Sequence, residues 1–522
     1  MLKVVSVVDK VGTALDRLAK GVAPYHDNLN YIVCDVHPKR PDPEQLARFE
    51  VEAMDADIID WQYFRTAELL RSKYDWLKDK KHILTHNNPY SITESDWNTY
   101  DINVGNNQEI SDNLKKITNT QVEYIPITVD SDFWEYNQEW EPNNSVIMVA
   151  NRIESKKGIL PVAIAASDLG MKFILVGAVS DRNYMFDIMQ TGNNIEFHEQ
   201  VSDEELRQLY YRSTIHVCNS VDNFESGTMP ILESMFCGVP VLTRKVGHVP
   251  DIYNGENMML QEGSSEDVVG ITEKLKEMLF DKKLLSEMRD KAWNSVKSRN
   301  FERRAYEYQK LYRQVMYPDQ APVSVVVPIY DRPEIISKCL SAIANQTYKN
   351  IEIVVVDDNQ ESNKPLVDEF ARYVNVPVRY LNTADGTYGL ARARNEGTIQ
   401  ATGEIIVYCD QRMVMHENAV EEFVKNIKPK TWMYGKKLTK KEFVENFSCV
   451  YRKEVIEAGL FNERINLYGG QSQEVRSRIR RQGFQIEYVE GAECTPTGKS
   501  SNRNRKRNEI IKMKNKLWKC GL

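Results

Sequence analysis

The 522-residue sequence predicts an α/β protein assembled from several sheet units in series. Three observations carry that class. Short apolar runs of strand length alternate with helical patterns along most of the chain, as in sheets covered by helices. The length exceeds what one hydrophobic core organises, so two to four lobes are expected. A polar, proline-bearing stretch at 317–322 separates two such regions.

Composition narrows the class. The chain is 42% hydrophobic and 27% charged, ordinary for a globular protein. No run approaches the about 20 apolar residues that span a bilayer. The start, M-L-K-V-V-S-V-V-D-K, is too short and too soon charged for a signal peptide and reads as a first strand, so a cytoplasmic protein (host cytoplasm if viral) is expected. Eight scattered cysteines without a C-x-x-C pair favour reduced thiols over disulfides or zinc. A net charge of −7 speaks against a globally basic nucleic-acid binder, although it hides a basic tail at 498–522.

The first lobe, 1–138, places strands at Leu2–Val8, Tyr31–Val36, Asp57–Trp61, His82–Thr85, Ile102–Val104 and Val122–Ile127. This alternation implies a parallel sheet with helices on both faces. Gly12 follows the first strand and either lets the backbone approach a phosphate or makes an ordinary turn. His86 stands at the carboxyl edge of the fourth strand, where such sheets bind ligands; a structural histidine is the alternative. The second lobe, 139–316, places strands at S-V-I-M-V-A, K-F-I-L-V-G-A, Ile195–Glu199 and Ile215–Asn219, then a helical run over Ser264–Val315.

Between them lies the stretch Asn219–Leu242, N-S-V-D-N-F-E-S-G-T-M-P-I-L-E-S-M-F-C-G-V-P-V-L. Glu225 and Glu233 are spaced as two helical turns, which would turn both carboxylates to one cleft. Ser226-Gly227-Thr228 supplies a permissive loop with a capping hydroxyl, and Pro230 sits where a starting helix tolerates it. A helix N-terminus here would offer N–H groups to a diphosphate. Cys237-Gly238-Val239-Pro240 then stops the helix and opens a strand.

The E-x7-E spacing resembles that of family-4 retaining glycosyltransferases, which have the GT-B fold of two Rossmann-like lobes. Two further segments are similar to that family. V-E-Y-I-P-I-T-V-D-S-D-F-W resembles its interlobe hinge, with Ile127-Thr128 in place of Asn-Gly. N-R-I-E-S-K-K-G resembles its G-R-x-x-x-x-K-G, with Asn151 replacing the first glycine. The resemblance implies that Arg152 and Lys157 neutralise a departing diphosphate, helped by N–H groups near Gly227 and Thr228. It further implies that Glu233 holds the ribose, Glu225 the donor sugar, and His86 a place near that sugar. A nucleotide sugar such as a UDP-sugar, held by the 139–316 lobe facing an acceptor lobe at 1–138, and retention without a metal complete the implied picture.

After the 317–322 linker, four segments follow in order over 323–497: P-V-S-V-V-V-P-I-Y-D-R, I-E-I-V-V-V-D-D-N, L-A-R-A-R-N-E-G and G-E-I-I-V-Y-C-D-Q-R. This order resembles family-2 glycosyltransferases of the GT-A fold, a single nucleotide-binding α/β domain. Carried over, Pro328, Tyr330 and Asp358 would hold base and ribose, and Arg394 would lie beside the diphosphate. The family's metal-binding D-x-D reads Asp410-Gln411-Arg412, its G-G-E-D reads Gly469-Gly470-Gln471-Ser472, and its later histidine is missing from Glu493–Thr497. A divalent ion is therefore not expected in this domain. Either the domain is a non-catalytic binding module, or Arg412 replaces the metal with Glu474 as base.

The tail, with K-S-S-N-R-N-R-K-R-N and a spaced apolar pattern, suits an anionic membrane surface, nucleic-acid phosphates or a packed solvated helix. Three readings of the whole stay open. The chain transfers a sugar from a nucleotide sugar to a polysaccharide or glycoconjugate; or it is a virus-encoded enzyme that glycosylates a hydroxylated base in DNA; or it is a non-catalytic carbohydrate- or nucleotide-binding scaffold.

Overall fold

The computed structural model describes residues 2–26, 29–87, 96–192, 194–222, 224–225, 227–437, 445–465 and 470–497. Ser226, Gly469 and the basic tail at 498–522, which figure in the sequence expectations, lie outside the described residues. The chain forms two compact units, one of residues 2–25 and 31–307, the other of 26–30 and 308 onward.

The first unit holds two sheets. The first comprises β1 (Lys3–Val8), β2 (Asn30–Asp35), β3 (Ile58–Trp61), β4 (Lys81–His86), β5 (Ile102–Gly105) and β6 (Gln121–Tyr124), in the order β2-β1-β3-β4-β5-β6. Neighbours from β1 through β6 run parallel. The second comprises β7 (Ser145–Ile153), β8 (Lys172–Val179), β9 (Ile195–His198), β10 (Ile215–Cys218), β11 (Val241–Thr243) and β12 (Met259–Leu260). Its order, β12-β11-β10-β7-β8-β9, is parallel throughout. Every strand expected in these lobes is present, because runs such as Ile58–Trp61 and Ile215–Cys218 are buried on both faces. The helical run at 264–315 breaks into Val268–Phe280, Lys282–Val296 and Phe301–Met316. Asp281 makes the first break, its carboxylate accepting the Leu284 N–H at 2.9 Å.

The last of these helices returns to the first lobe. Phe301 lies on Gly21, where a Cβ would sit 2.3 Å from the ring, so only glycine leaves it room. Leu18, Val22, Ile127 and Val129 share one buried cluster with Ile231, Val296, Phe301 and Ala305, so a single core joins the two lobes. The hinge departs from the expected turn. Ile127 is buried and covers Gly227, and Val129 donates to the Arg299 carbonyl at 3.1 Å. Apolar packing thus holds the segment that an Asn-Gly turn would otherwise shape.

The second unit carries β13 (Val323–Ile329), β14 (Ile351–Asp357), β15 (Val378–Asn382), β16 (Ile405–Cys409), β17 (Met413–Met415), β18 (Thr431–Lys437), β19 (Phe447–Tyr451) and β20 (Gln485–Pro496). The order is β15-β14-β13-β16-β19-β18-β20-β17. The sheet is mixed: β15-β14-β13-β16 run parallel, and β19 joins β16 antiparallel. The chain order reverses between β13 and β16, the kind of switch point where open α/β sheets bind ligands.

No helix among the described residues is long and apolar enough to cross a membrane. All seven described cysteines are free and buried. Gly397, in the helix Leu390–Gln400, sits so close to the sheet that a Cβ would lie 2.5 Å from Val326 Cγ1 and 2.9 Å from Val356 Cγ2. Alanine gains about 1 kcal/mol in helix propensity, but overpacking opposes it by about 1–3 kcal/mol. Gly397→Ala should therefore lower the denaturation midpoint; a raised midpoint in urea titration would contradict this packing.

Candidate active site

The site is built where β7 and β10 end. After Ile153 the chain makes one 3-10 turn, Ser155–Lys157, closed by Gly158 at φ +60°. A Cβ on Gly158 would lie 2.2 Å from the Asn219 carbonyl oxygen, so glycine permits both the left-handed backbone and the close approach. Asn219 Nδ2 donates to the Gly158 carbonyl at 2.9 Å and to the Ser265 carbonyl at 2.7 Å, and Val221 donates to the Lys156 carbonyl at 2.9 Å. These bonds fix the Lys157 turn against the loop after β10.

Lys157 Nζ consequently meets the Glu225 carboxylate in an ion pair that is largely buried. Ser220 Oγ donates to the same carboxylate at 2.8 Å, and the Lys157 ammonium lies 5.0 Å from the Phe224 ring centroid. Arg244 braces the loop by donating to the carbonyls of Ser220 and Gly263, each at 3.0 Å, and by pairing with Asp222 at 2.9 Å.

The helix that follows is Met229–Phe236, with Pro230 in its first turn and Cys237-Gly238 as its stop. Glu225 precedes this helix, so the expected two-turn relation between the two glutamates is corrected: one lies on a loop, the other on a helix. The capping expectation is also corrected. Thr228 holds the N-cap position without a side-chain cap, and its buried Oγ1 has no hydrogen-bond partner.

Glu233 is 2% exposed. Tyr210 donates its hydroxyl to the carboxylate at 3.3 Å, and Arg17 Nη1 approaches to 3.9 Å from the first lobe while pairing with Asp203 at 2.8 Å. Burial pushes the Glu233 carboxyl up to about 7, against the pull of Arg17 and with the repulsion of Asp203. The structure thus groups Lys157 with Glu225, and Glu233 with Tyr210 and Arg17.

The other expected residues fall as follows. Arg152 is exposed near the end of β7, in register with Ala178. Gly12 has φ +79° and donates its N–H to Asp16 Oδ2 at 2.8 Å, so its amide serves the start of helix Ala14–Val22 rather than a free phosphate cradle. His86 is buried, bonded through Nε2 to Asn103 Oδ1 at 2.9 Å and packed edge-on to Trp97 at 4.7 Å. Burial pushes its pKa down to about 4, which keeps the ring neutral at pH 7. At Gly227 a Cβ would lie 2.1 Å from Ile127 Cδ1 and 2.9 Å from His248 Nδ1. His248 is fully buried, and both its ring nitrogens lack hydrogen-bond partners.

Sequence reasoning missed Arg17, Tyr210, Arg244 and His248. Arg17 carried the one available signal, a cation one helical turn beyond the Gly12 turn; the others are set by tertiary packing.

In the second unit Pro328, Tyr330, Asp358, Asp410 and Arg412 line one cavity of about 560 Å³. Arg394 does not join them, and its expected place beside a diphosphate is corrected. It is 1% exposed and is consumed by Asp410 and Glu445, each at 2.7 Å, and by Gln471 at 3.1 Å. Glu474, the alternative base, is likewise buried and paired with Arg478 at 2.8 Å.

The buried Glu233 makes a pH prediction. Its folded pKa stands above the ordinary 4.5, so the folded chain binds more protons between pH 4.5 and about 7 and loses stability as pH rises through that window. Glu233→Gln should match the parent near pH 4 and exceed it above pH 7 by roughly 2–3 kcal/mol. Denaturation curves across that range check this, and parallel pH profiles for the two proteins would refute it.

Residues 130–294 match Glycosyl transferases group 1, and residues 324–432 match Glycosyl transferase family 2. The chain is 37% identical over 109 residues to the glycosyltransferase GlyG of Streptococcus pneumoniae, covering 21% of this chain and 36% of that protein. It is 29% identical over 159 residues to the glycosyltransferase AglE of Haloferax volcanii, covering 28% of this chain and 51% of that protein. It thus spans about a third to a half of these curated relatives. The solved sucrose-phosphate synthase from Thermosynechococcus elongatus superposes on 61% of this chain and 100% of its own with a TM-score of 0.51 at 15% identity, a likeness of fold. Two glycosyltransferase domains therefore stand in series in this chain, a group 1 domain of GT-B type at 130–294 and a family 2 domain of GT-A type at 324–432.

Proposed function

We propose that the first unit transfers a glycosyl group from a nucleotide sugar to a carbohydrate or glycoconjugate hydroxyl. The observation that carries this reading is the Lys157–Glu225 pair, a cation and an acid held at the ends of adjacent parallel strands by the Gly158–Asn219 contact. In the reaction the bond between the anomeric carbon and the diphosphate breaks, the acceptor oxygen bonds to that carbon, and the acceptor proton passes to an oxygen of the leaving diphosphate. The charge that develops falls on the leaving diphosphate. Lys157 turns from Glu225 to that anion, joined by Arg152 and by N–H groups at Gly227 and Thr228, and stabilises it as it forms. Glu225, released, accepts from hydroxyls of the donor sugar.

Glu233 accepts from the ribose hydroxyls. Its raised pKa fits a carboxyl that gains from such hydroxyl donors, since they replace the water that burial removed. The unpartnered polar atoms of Thr228 and His248 gather at the same Gly227 turn, as a site completed by a ligand requires. The resemblance to family-4 enzymes supports retention of anomeric configuration.

Purified full-length protein assayed for hydrolysis across a panel of nucleotide sugars tests the assignment. Lys157→Ala and Glu233→Ala should each lower kcat/KM on the order of 10²-fold or more, with circular dichroism unchanged. Lys157→Arg should keep part of the activity. Parental turnover in either alanine variant overturns the site.

A further inference from the structure

The family 2 likeness implies a divalent cation held by D-x-D, and the residues present do not fit one. Asp410 gives its carboxylate to Arg394 at 2.7 Å. Asp358 accepts from the Gly389 N–H at 2.7 Å and from Arg392 at 2.9 Å. Two residues beyond Asp410, where a second acid is needed, stands Arg412. Among the described residues no group of three His, Cys, Asp or Glu side chains gathers as metal ligands do. A hard cation needs several free oxygens, whereas the acids here are taken by arginines and a backbone N–H.

The domain nonetheless holds a cavity at this place. Its volume of about 560 Å³ falls in the range of small-molecule sites. It opens at the carboxyl ends of β13, β14 and β16, at the switch point between β13 and β16. Gln411, the central residue of the altered motif, ties the two strand ends together. Its Oε1 accepts the Tyr330 N–H at 2.9 Å, and its Nε2 donates to the Asp331 carbonyl at 3.0 Å.

Two features of the lining point to an occupant. The Arg412 guanidinium is half-buried and makes no hydrogen bond or ion pair among the described residues, although it lines the cavity. Tyr330, 55% exposed, offers an aromatic face at the same cavity. An unpaired cation and an unpaired aromatic ring, set in one cleft, match the anionic and the heteroaromatic parts of a nucleotide. A second arginine on the lining, Arg332, is held at φ +74°, a strained backbone for a residue with a side chain.

We propose that this cleft binds a nucleoside diphosphate, bare or sugar-linked, without a divalent cation, with Arg412 as the fixed counter-charge to the diphosphate and Tyr330 beneath the base. The protein then carries two nucleotide sites, one in each unit, and in the second a guanidinium does what an ion does elsewhere.

The experiment uses the full chain bearing Lys157→Ala and Glu233→Ala, which disables the site of the first unit. Uridine, guanosine, adenosine and cytidine diphosphates are titrated separately by equilibrium dialysis, in EDTA and in magnesium. At least one should bind with a stoichiometry of one in EDTA, and magnesium should not tighten it. Adding Arg412→Ala should weaken that binding on the order of 10- to 100-fold, while Arg412→Lys keeps most of it. An azido derivative of the bound nucleotide should label a peptide containing Tyr330. Since Arg412 holds Thr497 through its backbone carbonyl, which a substitution keeps, and its guanidinium makes no hydrogen bond or ion pair among the described residues, these variants should melt with the parent. Failure of all four diphosphates to bind, binding lost in EDTA and restored by magnesium, or equal affinity in Arg412→Ala each overturns the proposal.

Discussion

A missing methyl group organises the first unit. Because residue 158 is glycine, the backbone turns through the left-handed region and comes against the Asn219 carbonyl with no side chain between them. That contact joins the ends of β7 and β10, neighbouring strands that are far apart in sequence. Lys157 and Glu225 are carried to each other by it, and Arg244 secures the loop from behind. The chemistry proposed for the unit is thus set by backbone proximity first and by charge second.

The two domains answer one electrostatic problem in different ways. As proposed, each holds an anion at the carboxyl edge of a parallel sheet, where strand ends and helix starts offer partial positive charge but little screening. In the first, the proposed counter-charge is a lysine restrained by an acid, a flexible point charge able to exchange partners. In the second, the proposed counter-charge is Arg412, two residues beyond the Asp410 that neutralises Arg394, a planar donor suited to steady binding. Arg394 shows how such neutralisation is arranged: fully buried, it is matched by two acids and an amide, since one unpaired charge at that depth would be strongly unfavourable.

Much of this was legible in the sequence, and what was not follows a pattern. Strands buried on both faces advertise themselves, which is why β3, β5 and β10 were expected where they occur. The change from acid to cation at Arg412 was equally plain, because a residue type within a short motif needs no tertiary information. Partnership is what the sequence hid. The Glu225–Glu233 spacing looked helical, yet the helix begins only at Met229. Arg394 looked like a ligand for phosphate until the structure showed Asp410, Glu445 and Gln471 around it. Gly12 sits in the expected turn, but Asp16 takes its amide. In each case a nearby group competes for the same hydrogen bond, and no linear pattern reveals the competitor.

Gln411 carries one more implication. The side chain between Asp410 and Arg412 stitches the Tyr330–Asp331 backbone to the end of β16. Putting an aspartate back at position 412 would not recreate an ion-binding pair, since Asp410 would still be spoken for by Arg394 and Asp358 by Arg392. Each of those bonds would have to be dismantled in concert, through intermediates that leave a charge stranded in the interior. An ion site could thus be opened in this domain only by several coordinated exchanges of partners, and no single substitution suffices.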